Sequence, residues 1–398
     1  MSIRKVATQH YVVTVELGRD PITGTRRREE HTVHGPLDKA KALDRKLQTA
    51  VDNGEYVVRS SATVGDVCRA WLDTKAMEIT TAGRSPRTVE RYGSLLKSAI
   101  DTFGALPVQQ LTREHIQRFY LESGKRVSAT TVHHRHVALQ QALEYAVETH
   151  MIPRNPAHKA KAPKPNDHEP RRLTDEEVTN LVAAVSGTSL DVPVRLALAT
   201  GMRLGEILAL HWSDVSLDEG HVAVNWTVLE LAAKGSEVTI KKPKSKAGKR
   251  TIGIGRGTVA FLREHRRTQT AHRLEVGPGW ADNDLVVCND CGELVRPSTV
   301  SRHFGHLVNP PTPKATKRNP NPAPRTGPLA IPCRFHDLRD TFATESIRAG
   351  HPIKDVSALL GHAKASFTMD VYVARSVEED RGIADAADER LYGRAESL

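Results

Sequence analysis

Several things are missing from this chain. It has no run of about 18 apolar residues, so no segment is expected to span a membrane. Cysteine is scarce: Cys68, Cys288, Cys291 and Cys333 are the whole complement in 398 residues, too few to frame a chain of this size with disulfides. The opening residues, MSIRKVATQHYVV, lack the long apolar core and small-residue cleavage site of a secretory leader. A reducing, cytoplasmic location is therefore expected. Nothing reads as a phosphate-cradling P-loop. Acid is short relative to base, with 57 Lys and Arg against 47 Asp and Glu. The resulting net charge of +10 favours a polyanionic partner.

What is present is ordinary globular material, 39% hydrophobic and 26% charged, in a chain long enough for two or three domains. Residues from about 10 to 34 alternate apolar and polar side chains around the turn signals Asp20-Pro21 and Thr23-Gly24, which predicts a small antiparallel sheet. A helix follows and ends at Asn53-Gly54. From Thr63 to about Met151 the pattern predicts some four helices, with Thr63 and Ser85 as N-caps and Pro86 at a first helical position. Basic and hydroxyl residues crowd these helices, among them Arg84, Arg87, Thr88, Lys125, Arg126, His133, His134 and Arg135. Helix starts bearing such residues suit phosphate contact.

The stretch PRNPAHKAKAPKPNDHEPRR is rich in Pro and Lys without apolar period, and reads as an extended linker. The expected organisation is a module over 1–60, a helical domain over 61–155, a linker over 156–172 and a last domain over 173–398. That last domain opens on a capping box, Thr174 with Glu177. DVPVRLALATGMRLGEILAL reads as two helices broken at Gly201. HVAVNWTVLEL and SEVTIKKPKSKAGKRTIGIG read as short strands joined into a hairpin, and TVAFLREHRRTQTAH as helix. A second Pro-rich stretch, NPPTPKATKRNPNPAPRTGP, reads as a surface insertion.

Chemistry concentrates in the last domain. TGMRLGEIL places Arg203 after a glycine turn at a helix start. KPKSKAGKRTIGI places Lys246 on a basic loop shared with Lys244 and Lys249. HDLRDTFAT holds His336 and Arg339. LLGHAKASFTMDVYV stops a helix at Gly361, then supplies His362 and Tyr372. Two arginines, a lysine, two histidines and a tyrosine are the parts needed to cut a phosphodiester covalently. A rival cluster, Cys288, Cys291, His303 and His306, has the outline of a zinc finger, but its histidine gap is shorter than the usual three to five residues.

The TGMRLGE, HDLRDTFAT and LLGH…Y boxes resemble the tyrosine recombinases, more narrowly the phage-type integrases, in residue type, order and spacing. The resemblance spans about residues 173 to 392. It implies a small β-sheet plus helix N-terminal module for arm sites and an all-α core-site DNA-binding domain. The catalytic domain would then be mixed, mainly-α, with a small antiparallel sheet. It implies a recombinase that cuts and rejoins DNA through a 3′-phosphotyrosyl intermediate, integrating and excising a mobile element such as a prophage. Neither cofactor nor metal is implied. The partners implied are double-stranded DNA and three further copies of the chain, with room for a DNA-bending host protein and a directionality factor.

Physical chemistry suits those roles. The guanidiniums of Arg203 and Arg339 can clamp the non-bridging oxygens of one phosphate. His362 adds a hydrogen bond, and Tyr372 is the nucleophile, with Tyr392 a rival. His336 is suited to take the phenol's proton. By resemblance, Lys246 protonates the leaving 5′ oxygen and Glu206 buttresses the site. Two other readings differ in class: a regulator that binds DNA without cutting it, and a zinc-dependent nucleic-acid-binding protein.

Overall fold

The computed structural model describes residues 2–19, 24–53, 56–82, 85–165, 171–231, 238–243, 246–309, 329 and 331–361. They belong to two compact units, Met1–Asp167 and His168–Leu398.

The first unit begins with three antiparallel strands, β1 (Ser2–Ala7), β2 (His10–Arg19) and β3 (Arg26–His34), in the order β1-β2-β3. In β2 the alternation buries Val13 and Val15 against α1 (Leu37–Asp52), whose Ala40 is fully covered. The strand β1 was not expected. Nearly all its residues are exposed, so no apolar alternation announces it, and it is held by backbone pairing such as Ile3 with Val13. Four helices follow: α2 (Val64–Ala82), α3 (Pro86–Phe103), α4 (Arg113–Gly124) and α5 (Ala129–Glu148). Thr63 caps α2 by accepting from the Asp66 amide at 3.2 Å, and Pro86 opens α3 as expected. Trp71, Leu96, Ile116, Phe119, Leu139 and Leu143 meet in their common core. The described residues of the Pro-rich stretch after α5 are non-helical, but the chain around its start packs. Ile152, Ala157 and Ala160 bury into the same core, and Asn155 donates to the Gln140 carbonyl at 2.9 Å.

The second unit opens on α6 (Asp175–Val185), where Thr174 and Glu177 close the capping box at 3.2 and 3.0 Å. It continues through α7 (Asp191–Thr200), the one-turn α8 (Leu204–Ile207), and strands β4 (Val215–Ser216), β5 (His221–Val224), β6 (Thr227–Glu230), β7 (Val238–Lys241) and β8 (Arg250–Gly253). Helices α9 (Arg256–Val276), α10 (Pro297–Val308), α11 (Asp337–Arg348) and α12 (Ile353–Leu360) complete it.

The expected hairpin forms where the two stretches adjoin, and their outer ends pair as well. Strand β7 pairs back onto β6, while β8 pairs with β5 in a sheet ordered β4-β5-β8. Burial explains the outer pairing. Val222 and Val224 of β5, with Ile252 of β8 and the following Ile254, cover the domain core from one face. Leu338 of α11 and Leu360 of α12 are fully buried beside this core, and truncating either to Ala should cost about 2–5 kcal/mol.

Candidate active site

Four chain segments meet in the second unit. The first is the break between α7 and α8. Gly201 ends α7 at φ 62°, and a Cβ there would lie 2.5 Å from the Phe342 ring of α11. Glycine is therefore required both for the left-handed turn and for close approach of the two helices. Two residues on, Arg203 enters α8. Its amide donates to Glu206 Oε2 at 3.0 Å and its Nη1 to Oε1 at 2.9 Å. The guanidinium remains 41% exposed. A cation held at its base and open at its face can receive an anion without reorganising.

The second segment is the start of α11. His336 stands just before the helix with an exposed ring, its Nε2 4.0 Å from Asp340 Oδ1. Packing beneath the ring lowers its pKa below the ordinary imidazole value. Asp340 opposes this, and the charges of Arg339, Arg203 and Arg334 reinforce it. The ring is thus kept neutral near pH 7, the form that can accept a proton. Arg339, one turn in, is only 1% exposed. Its Nη1 donates to the Gly201 carbonyl at 2.6 Å and its Nη2 to the Leu360 carbonyl at 2.6 Å. The buried guanidinium thereby ties α11 to the ends of α7 and α12. Such a charge is tolerated in the interior only because carbonyl oxygens satisfy it.

The third segment is the turn Lys246–Gly248 that precedes β8. Lys246 opens it, and its side chain lies outside the described residues. The fourth is the end of α12, where Gly361 is left-handed at φ 69° and its Cα faces the Ala247 carbonyl. His362 and Tyr372 follow in sequence and lie outside the described residues, as does Tyr392.

One residue that sequence reasoning passed over joins these segments. Arg250 donates through Nη2 to Glu206 Oε2 at 2.8 Å, through Nη1 to the Gly248 carbonyl at 3.2 Å, and through Nε to the Leu359 carbonyl. Burial alone would push the Glu206 carboxyl up, but the hydrogen bonds and charge of Arg250, then those of Arg203, hold it below the usual carboxylate range. The signal for Arg250 was in the sequence. It shares strand parity with Ile252 and Ile254, and a cation on an apolar face demands a partner.

The cysteine–histidine cluster is built differently. Cys288 Sγ is 3.0 Å from Gln269 Nε2, and burial raises its pKa although Gln269 offsets part of the rise. Cys291, His303 and His306 are exposed. Among the described residues no group of three or more His, Cys, Asp or Glu side chains is arranged to hold a metal ion.

The chain matches known proteins along nearly its whole length. It is 27% identical to a XerC-like tyrosine recombinase of Caldanaerobacter subterraneus subsp. tengcongensis, over 92% of this chain and 93% of that protein. The ICEBs1 integrase of Bacillus subtilis is 24% identical over 98% of this chain and 100% of its own length. Among solved structures, the Tn1549 transposon integrase in complex with transposon right end DNA superposes with a TM-score of 0.62 at 18% identity, covering 82% of this chain and 99% of that one. The helical part of the described fold is thus shared with these proteins, and in this chain a small N-terminal sheet precedes it. The phage integrase family model spans residues 171–379, which includes all four converging segments and more than half of the sequence. By that match and those relatives the chain belongs to the phage integrase family, the tyrosine recombinases that cut and rejoin DNA at specific sites.

Proposed function

We propose that this recombinase cleaves one DNA strand with Tyr372 and uses Arg203, Lys246, His336, Arg339 and His362 to do so. The phenol oxygen attacks phosphorus, forming the 3′-phosphotyrosyl bond as the bond from phosphorus to the 5′ oxygen breaks. The phenol's proton passes to His336, and a proton from Lys246 goes to the departing 5′ oxygen. Arg203 stabilises the extra charge on the non-bridging oxygens, His362 adds a hydrogen bond, and Arg339 contributes its charge from beneath. Electrostatic stabilisation by preplaced donors is the term on which such a reaction gains most. The phosphotyrosyl bond conserves the energy of the broken linkage, so a 5′ hydroxyl from another strand can reverse the step without ATP.

The observation that carries this reading is the His336 ring, exposed beside Asp340 and within the electrostatic reach of three guanidiniums, one of which, Arg203, is anchored at its base and open at its face. In the same reading residues 1–60 contact arm sites, residues 61–155 the core site, 156–172 link them, and 173–398 carry the chemistry. The basic helix surfaces of the first unit support the middle assignment. The working assembly is a tetramer on paired sites, as a lambda integrase tetramer is seen on a Holliday junction in one solved relative. It acts in the cytoplasm on a mobile element's attachment sites, of phage or conjugative origin, with a bending protein and a directionality factor as accessories.

The test is a suicide substrate in which the cleaved strand's short end diffuses away. The full-length protein should accumulate as a covalent protein–DNA complex, and Tyr372→Phe should form none while binding the site with unchanged affinity. Binding without any covalent complex in the unaltered protein would instead favour the non-cutting regulator.

A further inference from the structure

Arg250 lies outside the set of groups assigned to the reaction, yet it is among the most constrained cations described. Its side chain is 7% exposed and its carboxylate partner Glu206 5%. An ion pair so deeply covered is a weak means of stabilising a fold, because the desolvation of both charges offsets most of their attraction. What such a pair does well is fix geometry.

Arg250 has three kinds of partner, and each adjoins a proposed catalytic residue. Glu206 is shared with Arg203, so the two guanidiniums grip one carboxylate from different sides. Gly248 closes the turn that Lys246 opens. Leu359 is at the end of α12, and Gly361 beyond it is packed so tightly that an added Cβ would come within 3.0 Å of Arg250 Nη1 and 2.8 Å of the Ala247 carbonyl. His362 is the next residue. The planar fork of an arginine can hold three directions at once, whereas a lysine's ammonium is a point charge on a flexible stem.

We infer that Arg250 is a positioning residue for strand cleavage: by locking the Lys246 turn and the end of α12 onto Glu206, it sets the general acid beside the clamp. This rests on the reading that a lysine of that loop, assigned above as Lys246, is the acid. Arg250 itself touches no DNA in this account. Its removal should slow chemistry and leave site binding alone.

The experiment uses the full-length protein and two suicide substrates, one with the ordinary phosphodiester and one with sulfur replacing the bridging 5′ oxygen. A thiolate leaves without being protonated, so the second substrate does not need a placed acid. Arg250→Lys keeps the charge and loses the fork. It should bind the site as the unaltered protein does and cleave the ordinary bond about 100-fold more slowly, the scale of a small misplacement of a reacting group. On the sulfur substrate most of that loss should vanish. A general loosening of the fold would slow both substrates alike, so equal losses would overturn the inference, as would an unchanged rate on the ordinary bond.

If Arg250→Lys does not fold, the same comparison on Glu206→Gln decides: the part of its loss that comes from the Arg203 clamp should remain on the sulfur substrate and the rest should vanish. Equal losses or none in that variant would overturn the inference. Lys246→Ala separates the two assignments. An unrescued Lys246→Ala beside a rescued Arg250→Lys moves the acid to Lys244 or Lys249 of the same loop and leaves the role of Arg250 standing.

Discussion

Two sets of cations, one in each unit, are held in opposite ways. In the helical part of the first unit, Arg87, Arg91, Lys125 and Arg126 are all exposed. Lys125 pairs with Glu122, itself exposed, at 2.7 Å, and Arg91 reaches His134 at 3.2 Å across the surface. In the second unit, Arg339 and Arg250 are buried and Arg203 is anchored at one edge, with carbonyls or Glu206 fixing each. Exposed charges suit a polyanion held along many phosphates, because each contributes separately and is screened by salt. Fixed charges suit a single phosphorus, where the cost of orienting the donors has been met during folding. On the proposed function, affinity falls to the first set of cations and chemistry to the second.

That division can be broken at its strongest point first. Arg339→Ala should abolish cleavage and also lower the thermal midpoint. It leaves the buried carbonyls of Gly201 and Leu360 without their donor, at about 1–3 kcal/mol each. Arg203→Ala should cost about 2.7–4 kcal/mol of transition-state stabilisation with little change in midpoint, since its guanidinium is half-exposed. Single-turnover cleavage beside calorimetry separates the two variants. If both lower the midpoint equally, the contrast between a buried tie and an open clamp is wrong. Next, removing Lys125 and Arg126 together should weaken site binding while leaving the cleavage rate of bound DNA intact. The slope of log affinity against log salt should become shallower by about 0.9 for each phosphate that is no longer neutralised. A slower cleavage rate in that variant would show that the surface cations also serve the chemistry.

The smallest effect concerns His336. Its pKa is lowered, so the neutral base is the populated form through pH 7 and is lost only as pH falls below the ordinary imidazole value of 6.5. The acid limb of the cleavage rate should accordingly lie below that value. Arg334→Ala removes a cation that disfavours the imidazolium and should raise the limb. A downward shift would contradict the placement.

Much of this is legible in the sequence where local chemistry decides structure. The Thr174–Glu177 box and the Gly201 break are short-range patterns, and each is found where expected. What escapes depends on partners distant in sequence. Strand β1 has no apolar face of its own to declare it. Residue type suits Arg339 to a phosphate clamp, and its bonds to Gly201 and Leu360 add a structural duty that no spacing rule reveals. Arg250 is hidden among neighbouring lysines, distinguished from them only by strand parity.

The account stands most directly on the identity of the nucleophile. Full-length protein trapped on a suicide substrate, digested, and sequenced at the DNA-linked peptide should carry the nucleotide on Tyr372. A linkage on Tyr392, or on any residue other than Tyr372, would contradict it.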